Sequence, residues 1–138
     1  STLQPADRSI RYQNLRSAMA EEGVIRLLLQ DDSLFPPEMP VQPEEFSSPL
    51  LGRIYGELWQ RRGHASMAAL SAVLAPEEMS HLTALLQKPE STANAPQALA
   101  DYIRIIQEEH TKRAGGMDPL AAAMETYKDK KGYGGKRT

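Results

Sequence analysis

The stretch "AEEGVIRLLLQDDSLF", residues 20–35, constrains the fold more than any other. Read at helical spacing with the residues before it, Leu15, Ala18, Met19, Ile25, Leu28 and Leu29 form one apolar face, and Val24 and Leu27 widen it. A face that broad needs several neighbours at once, which predicts a helix inside a bundle. The acidic ends of the stretch, including Glu21 and Glu22, are expected to face solvent.

The rest of the chain supplies neighbours of the same kind. Prolines in "SSPLL", "LAPEE", "NAPQA" and "MDPLA" each precede helix-forming sequence. Proline at a first helical position sacrifices no hydrogen bond and has its φ already set. Ser48, Ser66 and Asp118 are natural N-caps. Helices are therefore expected at 14–31, 49–62, 67–75, 76–87, 97–113 and 119–131. Leu50, Leu51, Ile54, Tyr55, Leu58 and Trp59 make a broad face on the second; Leu99, Tyr102, Ile103, Ile106 and His110 stripe the fifth, with Ile105 at the margin. Leu70, Val73, Leu74, Leu82, Leu85 and Leu86 belong to the shorter helices between. Pro36, Pro37, Pro40 and Pro43 exclude a long helix over 34–46 and leave room for one turn near 43–46. Residues 88–96 read as a polar loop, and "AGG" at 114–116 as a helix stop. No β-alternation or internal repeat appears. The expected fold is all-α: a helical bundle of about five to six helices followed by a C-terminal helical hairpin. The expected divisions are a flexible N-terminal segment at 1–12, a bundle at 13–96, the hairpin at 97–131 and a basic flexible tail at 132–138.

Composition narrows the functional classes. The 138 residues suffice for one core, and with 6% aromatic residues that core rests on Leu, Ile, Val, Met and Ala. A net charge of −2 and a pI near 5.9 argue against a nucleic-acid-binding module. The absence of cysteine removes disulfides, Cys-type zinc sites and thiol nucleophiles. No apolar run approaches the roughly 20 residues that span a bilayer, and the polar start lacks a signal-peptide core; a cytoplasmic, membrane-free protein is expected. The chain opens on Ser1, which suggests a piece of a longer parent.

Catalytic patterns are sparse. Glu78 and His81 form an E-x-x-H on one helix face, but carboxylate-bridged dimetal bundles need two such motifs and two further inward carboxylates; the pair reads as an ordinary surface pair. His64, after Gly63, reads as capping or solvated, and His110 as a stripe-margin residue. "GYGG" near the terminus is no phosphate loop, since no strand precedes it. Of the acidic doublets, Glu44-Glu45 and Glu77-Glu78 sit near helix starts, where the helix dipole favours them. Glu21-Glu22 and Glu108-Glu109 are expected on solvated faces. No catalytic residue, metal ligand or cofactor site is assigned.

The segment "GMDPLAAAMETYKDKKGYGG" differs in kind. Met117, Leu120, Met124 and Tyr127 follow 3-4-3 spacing, a coiled-coil-like seam. A helix of 13 residues is marginal alone in water, so it is expected to fold back on 97–113, with Tyr102, Ile103 and Ile106 pairing the two arms. Lys128, Lys130, Lys131, Lys136 and Arg137 outnumber the acids here, which suits an acidic protein partner; a solvated basic tail is the plainer alternative.

Taken together, "AEEGVIRLLLQDDSLF", "EEFSSPLLGRIYGELWQRRG", "SMAALSAVLAPEEMSHLTALL" and "DPLAAAMETYKDKKGYGGK" resemble, in pattern and order over residues 13–136, the C-terminal helicase-binding domain of bacterial DNA primases of the DnaG type. The resemblance implies a helical bundle with a C-terminal hairpin that docks on the N-terminal domains of the replicative hexameric helicase of the DnaB type. Docking recruits RNA primer synthesis to the replication fork and modulates the helicase. The parent would be a nucleotidyltransferase whose zinc and Mg²⁺ belong to upstream domains, and this chain a non-catalytic recruitment module without cofactor, small-molecule substrate or specific nucleic-acid binding. Leu120, Met124, Tyr127, Lys128 and Lys131 are the expected partner-binding residues. The helicase's own N-terminal domain is an alternative, because Glu21, Val24, Ile25, Leu28 and Leu29 also fit its first helix; the basic Gly-rich tail and the lack of an onward linker favour primase. A generic helical binding module, a small enzyme using Glu78 and His81, and a nucleic-acid binder using the tail are further alternatives. A dimer formed by exchange of the last helix is an arrangement the pattern accommodates.

Overall fold

The computed structural model describes residues 12–91 and 93–115. Five α-helices and no strand occur among them: α1 (Leu15–Gln30), α2 (Pro49–Gln60), α3 (Met67–Ser71), α4 (Pro76–Leu86) and α5 (Ala95–Ala114), with 3₁₀ turns at Asp32–Leu34 and Pro43–Glu45. The all-α expectation is met. The helix expected at 119–131, its cap Asp118, the basic tail and residues 1–11 lie outside the described residues.

Local chemistry sets the helix boundaries. Ser48 Oγ accepts from Leu51 N at 3.2 Å and Ser66 Oγ from Ala69 N at 3.0 Å, so both expected caps are in place. Pro49 and Pro76 open α2 and α4, and Glu78 reaches back to accept from Ala75 N at 2.7 Å. Asn14 caps α1 by accepting from Ser17 N at 3.0 Å, a cap absent from the sequence expectations. After α2 the chain turns at Gly63, whose φ of 94° suits a residue without Cβ. The helix expected over 67–75 is shorter, ending at Ser71 and giving way to a turn.

The core is one cluster. Ala18, Val24, Ile25, Leu27 and Leu28 of α1 meet Leu51, Ile54, Tyr55, Leu58 and Trp59 of α2, Leu70, Leu82 and Leu85 from α3 and α4, and Leu99 and Ile106 of α5. Each fully buried Leu or Ile side chain adds about 1.5–3 kcal/mol. The Pro-rich segment lies over α2: Tyr55 OH donates to Val41 O at 2.7 Å, and Phe46 and Tyr55 stack with ring centroids 4.5 Å apart. A Cβ at Gly52 would sit 2.6 Å from Pro43 O, so glycine there permits this close approach.

Two parts of the expected helical faces are corrected. Leu15 and Met19, assigned to the buried face of α1, are 64% and 48% exposed. Glu21 and Glu22, assigned to solvent, are 0% and 2% exposed, and Glu109 is 7% exposed while Glu108 faces solvent as expected. The apolar pattern locates the centre of a face, but its edges depend on which sides of the helix its neighbours cover.

Candidate functional site

Helix α5 makes the most extensive helix–helix contact in the described fold, lying antiparallel along α1. Tyr102 covers Gly23 near the middle of α1, and a Cβ at Gly23 would clash with the tyrosine ring. Further along, Glu109 meets the start of α1: it accepts from Asn14 Nδ2 at 3.0 Å and Arg16 NH1 at 2.6 Å, with Lys112 Nζ at 3.2 Å. Arg16 also reaches Glu108 at 3.1 Å. Hydrogen bonds from Asn14 and Arg16 hold the Glu109 carboxyl down at about 2. On the other flank, Arg113 NH2 donates to Glu45 O at 2.7 Å and Gln107 Nε2 to Pro40 O at 3.4 Å. The helix is thus fastened on both sides up to its last turn. Because α5 continues to Ala114 past the Glu109–Asn14 contact, Gly115 lies just beyond the N-terminal end of α1.

Of the three residues expected to pair the hairpin arms, Ile106 is fully buried in the bundle core, Tyr102 is engaged with Gly23 and Glu90, and Ile103 is partly buried against the core. The expected first arm of the hairpin is thus packed as a bundle helix. The expected partner-binding residues Leu120, Met124, Tyr127, Lys128 and Lys131 lie outside the described residues, as does the second arm.

Two buried acidic centres flank the middle of α1. Glu21 accepts four hydrogen bonds, from Ser17 Oγ (2.6 Å), Ser47 N (2.7 Å), Ser47 Oγ (2.7 Å) and Ser48 N (3.2 Å). This carboxylate ties α1 to the residues that cap α2, so "AEEGVIRLLLQ" and "EEFSSPLL" form one cluster. Glu22 accepts instead from Tyr12 OH (2.6 Å), Lys88 Nζ (2.9 Å) and Arg26 NH1 (3.4 Å). Burial pushes the Glu22 carboxyl up, but hydrogen bonds from Lys88 and Tyr12 and the charges of Lys88 and Arg26 outweigh it, leaving it below the usual range. Arg26 Nε continues to Glu90 at 3.0 Å, and Tyr102 OH donates to the other Glu90 oxygen at 2.7 Å. Burial raises the Tyr12 and Tyr102 phenols, reinforced by Glu22 and Glu90 respectively, so both remain donors. The loop between α4 and α5 is held down by this network. Neither centre has a free carboxylate face, as a general base requires.

The histidine positions are equally informative. Glu78 is engaged at the start of α4, accepting from Ala75 N and from Arg53 Nε at 2.8 Å. His81 is partly buried, with Nε2 enclosed and without a hydrogen-bond partner; burial lowers its pKa, partly opposed by Glu22. It is therefore not the freely solvated partner of Glu78 that the E-x-x-H spacing suggests. His64 is exposed and His110 partly buried. No group of three or more His, Asp or Glu side chains suited to a metal ion occurs among the described residues. No helix among them is long and apolar enough to cross a membrane.

Compared with family models, curated proteins and solved structures, the chain matches none. The functional reading therefore rests on the residues themselves. The buried carboxylates could not be found from spacing, because Ser47 and Lys88 lie 26 and 66 residues from the glutamates they reach. The one legible signal was "FSSPLL", whose paired serines precede a capped helix.

Proposed function

We propose that this chain is a non-catalytic protein-interaction domain that joins a bacterial DNA primase to the N-terminal domains of its replicative hexameric helicase, bringing primer synthesis to the fork and modulating the helicase. The observation that carries the reading is the Glu21 cluster. Two of the stretches on which the primase resemblance rests, "AEEGVIRLLLQ" and "EEFSSPLL", are bonded to one another in the core and do not merely follow in order. The fastening of α5 up to Arg113 adds support, since it presents the following segment from a rigid base. In this reading Leu120, Met124, Tyr127, Lys128 and Lys131 meet the helicase. The zinc and Mg²⁺ of primer synthesis reside elsewhere in the parent protein, and the module works in the cytoplasm.

Isothermal titration of the chain against the N-terminal domains of a DnaB-type helicase tests this. Saturable binding that disappears on deletion of residues 116–138 is expected, and Tyr127→Ala should weaken it by about 2 kcal/mol, as for a buried aromatic anchor. Full affinity in the deletion variant, or no binding by the intact chain, would overturn the assignment.

A further inference from the structure

Among the described residues, two large apolar side chains are exposed, and they are Leu15 and Met19, four residues apart on one face of α1. Residues at that spacing are neighbours on a helix surface. They sit in the N-terminal half of α1, which α5 runs past on another side: Tyr102 meets Gly23, Glu109 meets Asn14 and Arg16, and α5 continues to Ala114. The apolar side chains of α5 do not cover them: Ile106 is spent in the core and Tyr102 lies over Gly23.

The sequence that follows has the opposite deficiency. Met117, Leu120, Met124 and Tyr127 form a stripe, yet the α5 positions expected to receive it are already engaged with the bundle. Direction and register bring the two together. Because α5 is antiparallel to α1 and ends just beyond its N-terminus, a helix reversing after Gly115 would run parallel to α1 from that end. Leu120 and Met124 carry the same four-residue spacing as Leu15 and Met19. A helical segment over 117–127 rises about 15 Å, against about 6 Å between Leu15 and Met19, so its reach is ample.

We propose that the Leu15–Met19 face of α1 is the docking site for this chain's own segment 117–127, with Leu120 seated at Leu15 and Met124 at Met19. The segment gains the burial that a short helix lacks in water. The bundle gains cover for the two exposed side chains. This docking stands independently of the helicase reading. Where both hold, Leu120 and Met124 exchange the bundle for the partner when the helicase binds.

The absence of native cysteine makes the test direct. The full chain carrying Met19→Cys and Met124→Cys is oxidised at low concentration, without any partner, and run on a non-reducing gel. Gln60→Cys with Met124→Cys is the control. Gln60 is exposed and lies toward the other end of α1, where Gly63 N bonds to Asp32. An intramolecular disulfide forming at least about tenfold faster in the first pair than in the control is expected from the raised effective concentration. A second pair, Leu15→Cys with Leu120→Cys, should behave like the first, and circular dichroism checks that each variant keeps its helices. Equal rates in test and control pairs would overturn the proposal. So would disulfide-linked dimers alone, which indicate that a second copy occupies the face. Faster coupling of Met19→Cys to Ile10→Cys would assign the face to the N-terminal segment and also overturn it. Failure of the helicase titration leaves the cross-linking result unaffected.

Discussion

Glu21 and Glu22 are adjacent in sequence, equally hidden from water, and held in opposite ways. Glu21 is satisfied by neutral donors: the Ser17 hydroxyl of α1, and the Ser47 hydroxyl and two backbone amides at the entrance to α2. Glu22 is satisfied by Lys88, Arg26 and the Tyr12 phenol in an ionic network that extends to Glu90 and Tyr102. A step of one residue rotates the side chain by about 100°, enough to face a different neighbour. The contrast shows that a buried carboxylate needs a complete set of donors, whatever their charge. It also shows what each set does: the serine cluster locks two helices together, and the ionic network straps a loop to α1 and α5.

The comparison can be broken most severely from the ionic side. Arg26→Met should destabilise the fold by about 3–5 kcal/mol in urea titrations, since removing one partner leaves Glu22 and Glu90 buried and less compensated. Replacing Glu21 by Leu should cost about 2–4 kcal/mol, because it strands two amides and two hydroxyls. Glu21→Gln, which keeps one acceptor oxygen, should fall between it and the native protein. A loss from Arg26→Met no larger than from Arg104→Met, whose ion-pair partners Asp101 and Glu108 are themselves exposed, would show that water already reaches the network. The exposed Arg16–Glu108 pair should contribute little and fade with salt.

A steric prediction comes next in size. Gly23→Ala should cost about 1–3 kcal/mol by forcing the Tyr102 ring away from α1 and straining its bond to Glu90. In a Tyr102→Ala background the same change should become neutral or stabilising, since alanine is the better helix former by about 1 kcal/mol. A double-mutant cycle measures this, and simple additivity would refute the contact.

The comparison can also be sharpened by pH. Glu109 has a folded pKa of about 2, below its ordinary 4.5, so its stabilisation is full above 4.5 and is lost as pH falls through about 2. Glu109→Gln should flatten the stability profile across that window. His81 works in the same direction from a different cause: its folded pKa is lowered by burial, so protonation below its ordinary 6.5 opposes folding until the folded pKa is passed. His81→Phe should remove that share of the acid sensitivity, checked by thermal melts between pH 7 and 5.

The helices were largely legible because their signals are local. Pro49, Pro76, Ser48 and Ser66 mark starts through bonds made within three residues. The apolar positions of α2, among them Leu51, Ile54, Tyr55 and Leu58, were equally clear from their spacing. What spacing could not assign was the edge of each face. Leu15 and Met19 share the periodicity of Ala18 and Ile25 but lie outside the cover of α5. Glu21 and Glu22 look like solvated positions until residues far along the chain arrive to bond them. Asn14 is an ordinary N-cap residue, but its second role, bonding Glu109 across 95 positions, is invisible locally.

The sequence by itself determined an all-α chain, its helix starts and the apolar centre of its core, because capping, proline geometry and 3.6-residue periodicity act over a few residues. The tertiary structure alone decided which acids are buried, which apolar residues stay exposed, and that α5 belongs to the bundle. Those outcomes depend on contacts between residues tens of positions apart, whose free energies exist only once the helices have packed.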